Sequence, residues 1–205
     1  MEEKIIGPRT SHKEFFLEHV KLDMPEFSGI KEAVLNGDIA LADKLFATAM
    51  KTKNPHKDKL LAVKRAEVDA MDEKLRASCI ARAKDIMDYK VISCGIPWHF
   101  ADHKIDWEFN PTYNAYKEWP WQLSRHPEWS VLANYYLLTG DENAAKTYAD
   151  MLDSWLKQAV VPVDLPGYAT WCWRTIEAGI RLMNWIFQIS VFIDSPEMSD
   201  KLITE

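Results

Sequence analysis

Along most of this chain apolar residues return every three or four positions, the spacing that gives a helix one buried face. Asp38 stands where a capping carboxylate is needed, and Leu41, Leu45, Phe46 and Ala49 follow it, predicting a helix over 39–53. Ser28 is placed to cap a shorter helix just before. Asn54-Pro55 opens a second run, in which Leu61, Val68, Met71, Leu75, Cys79, Ala83 and Ile86 trace one stripe to residue 89, as one long helix or as two with a break. Strand signals are absent from this part. Helices resume over 121–138, where Pro127 forces a kink or a restart, and Thr139-Gly140 ends the run. Asp141 then caps a helix whose Ala144, Ala145, Tyr148, Met151, Leu152, Trp155, Leu156 and Ala159 form a continuous apolar face.

The run over 169–192 differs because apolar residues fill most of its circumference. Arg174, Glu177, Arg181, Asn184 and Gln188 fall within about 80° of arc at 100° per residue. A mostly buried helix with so narrow a polar strip must pair those groups or line a wet cavity with them, since isolated buried charges are costly. The alternative is an ordinary solvent face carrying an Arg174–Glu177–Arg181 ion ladder. Beyond it, Ser195, Pro196 and Glu197 announce another helix, with only nine residues after Pro196. That start so close to the end is what a domain fragment would show.

Residues 91–112, with Gly95, Pro97, Pro111 and many aromatics but no sustained period, read as a long ordered loop. Composition shifts at the same place: eight of the nine Trp lie between Trp98 and Trp173, and none precedes residue 97. Charge shifts with it. Residues 1–97 carry 17 Lys and Arg against 16 Asp and Glu, whereas residues 98–205 carry 8 against 15. An acidic second half makes nucleic acid an unsuitable partner. The strongest uncharged apolar stretch, 182–193, is shorter than the ~20 residues of a bilayer span, so no membrane partner is expected. The N-terminus is acidic and lacks a signal core, which places the chain in the cytoplasm, or in the periplasm or medium if a signal has been removed. Cys79, Cys94 and Cys172 read as reduced thiols.

Several chemistries lack a warrant. His99 and His103 would face one metal only if they lay on a helix, which Pro97 and the aromatic loop argue against, so neither metal nor cofactor is assigned. No phosphate-binding glycine loop, nucleophile elbow or Cys-x-x-Cys pair occurs. The densest segment is 105–129. Gln122, Arg125, His126 and Trp129 would share a face if it is helical, and Trp rings with forked Arg, Gln and Asn donors suit sugars that bear acidic groups. The same residues also read as core tryptophans, with Arg125 satisfying helix-end carbonyls.

Four motifs in order carry a more specific signal: Ile105-Asp106-Trp107 with Asn110-Pro111, Trp121-Gln122-Leu123-x-Arg125-His126, Thr139-Gly140-Asp141-Glu142, and Trp173-Arg174-x-x-Glu177-x-x-x-Arg181. Together they resemble the N-terminal domain of heparinase II/III-type polysaccharide lyases, and most of all its heparinase III-like (heparan sulfate lyase) group, over about residues 30–190. The resemblance implies an all-α fold, an incomplete α/α toroid of helical hairpins forming one domain over 1–205, with a Trp-free part (1–97) and a motif-bearing part (98–190). It also implies an acidic polysaccharide as partner and β-elimination of uronate glycans as the family's reaction. In that chemistry a polar group neutralises the uronate carboxylate, Tyr or His removes the C5 proton, and Tyr donates to the leaving oxygen.

The family's catalytic Asn, Tyr and His and its β-sandwich are expected downstream of residue 205, so no residue present receives a catalytic role and this chain is expected to be inactive alone. What the motifs carry over is substrate binding or its support: Asn110, Gln122, Arg125, His126, Arg174 and Glu177, with Lys117 a weaker member. With that, the polar strip is expected to support a sugar cleft. The competing reading is a non-catalytic helical-hairpin scaffold for protein interaction or sugar binding. The sequence does not set the sugar, its sulfation or the oligomeric state.

Overall fold

A computed structural model describes residues 10–159, 161 and 170–205. The expected all-α toroid architecture is borne out: helices make up most of the described residues, and a single two-stranded hairpin is the only sheet among them. A short α1 (His12–Glu14), closed by a Ser11/Glu14 capping box, runs into a π-helical turn (Phe15–His19). A 3-10 turn (Pro25–Phe27) precedes α2 (Ile30–Leu35). Here the sequence misleads. Ser28 closes the 3-10 turn, and α2 is entered through Gly29 at φ +85° with no side-chain cap. A Cβ on Gly29 would meet Leu45 Cδ1 at 3.3 Å, so left-handed backbone and close approach both favour glycine there.

The next helices start where capping chemistry places them. Asp38 accepts from Leu41 N at the head of α3 (Ile39–Thr52), and Asn54 accepts from His56 N, with Pro55 first in α4 (Pro55–Asp69). The 54–89 stripe does break: Asp72 caps a separate α5 (Glu73–Met87). After the hairpin come α6 (Glu118–Leu123), α7 (Trp129–Thr139), α8 (Glu142–Gln158), α9 (Thr175–Phe192) and α10 (Asp200–Thr204). Gly140 ends α7 at φ +69°, and Asp141 caps α8 through Asn143 N. The expected start of α9 near residue 169 lies outside the described residues; among those described, the helix begins at Thr175, with extended Arg174 before it. Ser195 does not start a helix. Its hydroxyl donates to Glu142 and accepts from Glu197 N to form a turn, and α10 starts later, capped by Ser199.

Residues 91–112 begin with ordered structure that the loop reading missed. Strands β1 (Lys90–Ser93) and β2 (Ile96–His99) pair antiparallel, Lys90 opposite His99 and Ser93 opposite Ile96. The two turn residues, Cys94 (φ +52°) and Gly95 (φ +75°), are both left-handed, as a type I′ turn requires. The hairpin is fastened to α6: Ser93 Oγ donates to Trp119 O, and Trp119 Nε1 donates to Ile96 O.

One large core lies between α5, α7, α8 and α9 and includes Trp107, Trp119, Trp129, Tyr148, Trp155 and Phe192; α4 packs against α7 and α9. A smaller aromatic cluster around Phe16, Ile30 and Phe46 joins α2 to α3, against which α10 also packs. The unusual element is α9. Its polar residues Glu177, Arg181 and Gln188 are buried, while Ile176, Leu182, Met183 and Ile186 are exposed. The solvent-face reading of that strip is therefore overturned.

Candidate functional site

The turn between α6 and α7 organises the site. Pro127 and a left-handed His126 (φ +55°) end one helix and start another, so Gln122, Arg125, His126 and Trp129 do not share a helical face as expected. Their backbone is gripped by the inward strip of α9. Arg181 Nη1 donates to Ser124 O and Cys172 O, Asn184 Nδ2 to Arg125 O, and Gln188 Nε2 to His126 O. Three successive carbonyls, which a helix end leaves without partners, are thus satisfied from one neighbouring helix. The Arg181 guanidinium also lies against the rings of Trp155 and Trp173, at 4.4 and 4.9 Å from their centroids. Burial lowers its pKa, against the opposing pull of Glu177.

On the rim of this clamp two arginines share one carboxylate. Arg125 Nη2 lies 2.7 Å from Glu177 Oε1, while Arg174 Nε and Nη2 reach Glu177 Oε2 and Oε1 at 2.8 and 3.1 Å. Arg174 lies flat on Trp121, 3.6 Å from its ring centroid, and Glu118 stands at 3.4 Å from Arg125. Glu177 is fully buried, yet the Arg125 and Arg174 side chains keep 16% and 24% of their surface in solvent. The tryptophan-bearing segment and the arginine-bearing strip therefore converge on one place.

The other predicted residues fall into supporting positions. His126 is buried between Trp129, stacked at 3.7 Å, and Trp185; its Nδ1 accepts from Trp185 Nε1, which puts the ring proton on Nε2. Burial first, and Arg181 second, hold its pKa well below the usual imidazole value, so the ring is neutral. Gln122 accepts from Cys94 N and fixes the hairpin turn. Asn110 spends its amide on its own loop, donating to Tyr116 O and accepting from Thr112, and so shapes the stretch that presents fully exposed Tyr113. Lys117 is exposed at the start of α6, one residue before Glu118 and a turn before Trp121.

Glu118 escaped the sequence reading. It lies two helical turns before Arg125, on the same side of α6 and its end. His99 and His103 are not helical: one is in β2 and the other in a loop at φ +57°, each 3.6 Å from an Asp88 oxygen.

The family described as Heparinase II/III N-terminus matches residues 16–205. A heparin-sulfate lyase of Bacteroides stercoris is 28% identical over 116 residues, covering 49% of this chain and 17% of that protein. Among solved structures, the heparan sulfate lyase HepC of Pedobacter heparinus superposes with a TM-score of 0.72 at 21% identity, over 95% of this chain and 30% of that one. The heparinase III-BT4657 gene product gives 0.69 at 20% identity, over 97% and 31%. The chain thus spans under a third of the length of these relatives.

Proposed function

Because the chain belongs to the heparinase II/III N-terminal family, we propose that it is the acidic-polysaccharide-binding toroid portion of a lyase that cleaves uronate glycans of the heparan sulfate kind by β-elimination, and that Arg125 and Arg174 receive the sugar's acidic groups. The observation that carries this reading is the rim pair itself. Two guanidiniums are oriented by a carboxylate that is wholly buried, with one of them stacked on a tryptophan, and both keep an edge in solvent. Forked donors held in one orientation lose little freedom on binding carboxylate or sulfate, and Trp121 adds a flat apolar edge.

The same geometry argues for binding without bond cleavage by these residues. His126 is neutral, enclosed and committed to Trp185, so it cannot reach a sugar proton. In this reading Gln122, His126 and Asn110 hold the hairpin, the turn and the 110–116 loop in place, and Lys117 extends the cationic rim. Glu118, at the outer edge of Arg125, competes with an incoming anion.

Titration of the chain with heparan sulfate oligosaccharides, followed by Trp fluorescence, tests this. Arg174→Ala and Arg125→Ala weaken binding about tenfold each, Glu118→Gln strengthens it, and neutral glucans give no response. The ultraviolet absorbance of an unsaturated uronate does not develop with this chain alone. Equal affinity of wild type and both arginine variants would refute the assignment.

A further inference from the structure

A polar concavity of about 700 Å³ lies between α8 and the segment that follows the hairpin, with buried Ile105 and Met151 in its lining. Its long wall is a ladder along one face of α8: Asn143, Thr147, Asp150, Ser154 and Gln158 step by three and four and rise about 22 Å. Ser154 Oγ accepts from Trp107 Nε1 and from Gln158 Nε2, so its own O–H is the donor left over. Asp150 is held by Lys146 at 2.7 Å. Across the groove His103, at φ +57°, stacks on Tyr89 with centroids 4.6 Å apart, and its neighbour Lys104 is exposed, its backbone fixed by Asp102.

The lining has the volume of a ligand site, for which about 300–1,000 Å³ is usual, but not the usual apolar walls. Gln158 is spent on Ile105 O, Ser154 and Trp107 N, and Thr147 on Asn143 O, so the groups left to a ligand are Asn143 Oδ1, the second Asp150 oxygen, the Ser154 hydroxyl, two lysines and a ring face. The amide oxygen, carboxylate and hydroxyl pair with sugar hydroxyls, and the lysines pair with carboxylate or sulfate. We propose, resting on the reading of the chain as a binder of acidic polysaccharide, that this groove is a second binding site for an acidic oligosaccharide, sharing no residue with the arginine rim, with Lys104 and Lys146 on the acidic groups and Asn143, Asp150 and Ser154 on the hydroxyls. Two such sites on one chain would hold a long polymer at two points and raise its local concentration at the rim.

Backbone amide NMR of the whole chain tests this with four probes: a heparan sulfate oligosaccharide, a uronate oligosaccharide without sulfate, a neutral glucan and inorganic sulfate. The expected result is that both acidic oligosaccharides shift the amides of Asn143, Lys146, Thr147 and Ser154, that the glucan does not, and that Lys104→Glu/Lys146→Glu lowers the affinity read there about tenfold or more with unchanged circular dichroism and melting temperature. The shifts persist in Arg174→Ala, which keeps this test separate from that of the rim. The proposal is overturned if the oligosaccharides leave α8 unshifted, or if the double reversal binds as wild type. It is equally overturned if inorganic sulfate gives the same shifts at the same affinity, since the site would then hold an adventitious ion only.

Discussion

Removing the carboxylate of Glu177 is the sharpest perturbation of the rim, because that group is fully buried and serves two cations at once. Three charge-assisted bonds at 2.7, 2.8 and 3.1 Å at about 1.5–3 kcal/mol each would add to more than the loss measured when one partner of a buried pair is deleted, about 3–5 kcal/mol. The bonds are not independent. Arg174 keeps its stack on Trp121, and both guanidiniums can rehydrate at their exposed edges. Glu177→Ala is therefore expected near the lower bound, about 3 kcal/mol, seen as a fall of about 6–12 °C in melting temperature for a domain of this size. Glu177→Gln does little better, since its amide NH2 faces a cation whichever way it turns. Urea unfolding of Glu177→Gln, Arg125→Met, Arg174→Met and the paired doubles gives the coupling energies: about 2 kcal/mol for Arg125, the less exposed partner, and about 1 kcal/mol for Arg174. A loss below 1 kcal/mol for Glu177→Ala, or stronger coupling to Arg174 than to Arg125, would refute the reasoning.

Three other outcomes are expected. His126 is neutral when folded, its pKa held below the ordinary 6.5 by burial and Arg181, so the unfolded chain takes up a proton that the folded chain does not. Its contribution is complete above about pH 7 and is lost as pH falls below about 6.5, at up to about 1.4 kcal/mol per pH unit; imidazole NMR showing His126 charged at pH 5.5 in the folded protein would contradict this. On α9, Leu182→Glu and Met183→Gln change unfolding free energy by less than about 0.5 kcal/mol, as exposed sites do, whereas Gln188→Leu costs about 2 kcal/mol by leaving the His126 carbonyl and Ser130 Oγ without their donor. At the hairpin tip Gly95→Ala costs about 1–2 kcal/mol, because φ is +75° although the space around it is open; a smaller loss in a thermal melt would mean that the turn relaxes.

The elements that were legible in the sequence are those whose signals are local. Asp38, Asn54 and Asp141 announce helix starts through side chains that bond to backbone two or three residues away, and Gly140 announces an end. The failures share the opposite property. Cys94-Gly95 is not the Asn-Gly or Asp-Gly pair that usually marks a type I′ turn, and β2 is exposed along its whole length, so no alternation betrays it. Ser195 carries a good capping side chain that a tertiary contact diverts to Glu142, and Ser28 gives way to Gly29 at the entry to α2. Glu118 and Arg125 stand two helical turns apart, beyond the three- and four-residue spacings at which helical pairs are read, so their contact escaped notice.

Most instructive is α9. Counting residues around its circumference identified a narrow polar strip correctly, but not which side faces the protein. Amphipathic reasoning assigns burial to the apolar side by default. Here the carbonyls of Ser124, Arg125 and His126 need donors, and the Arg181 guanidinium and the Asn184 and Gln188 amides supply them, so the polar strip turns inward. The preceding turn thus determines the orientation of α9, and that orientation places Glu177 beneath Arg125 and Arg174. The rim is consequently a product of backbone satisfaction as much as of charge. Removing Arg181 should therefore disturb Arg125 and Arg174 without touching either, whereas removing Arg174 should leave the clamp intact.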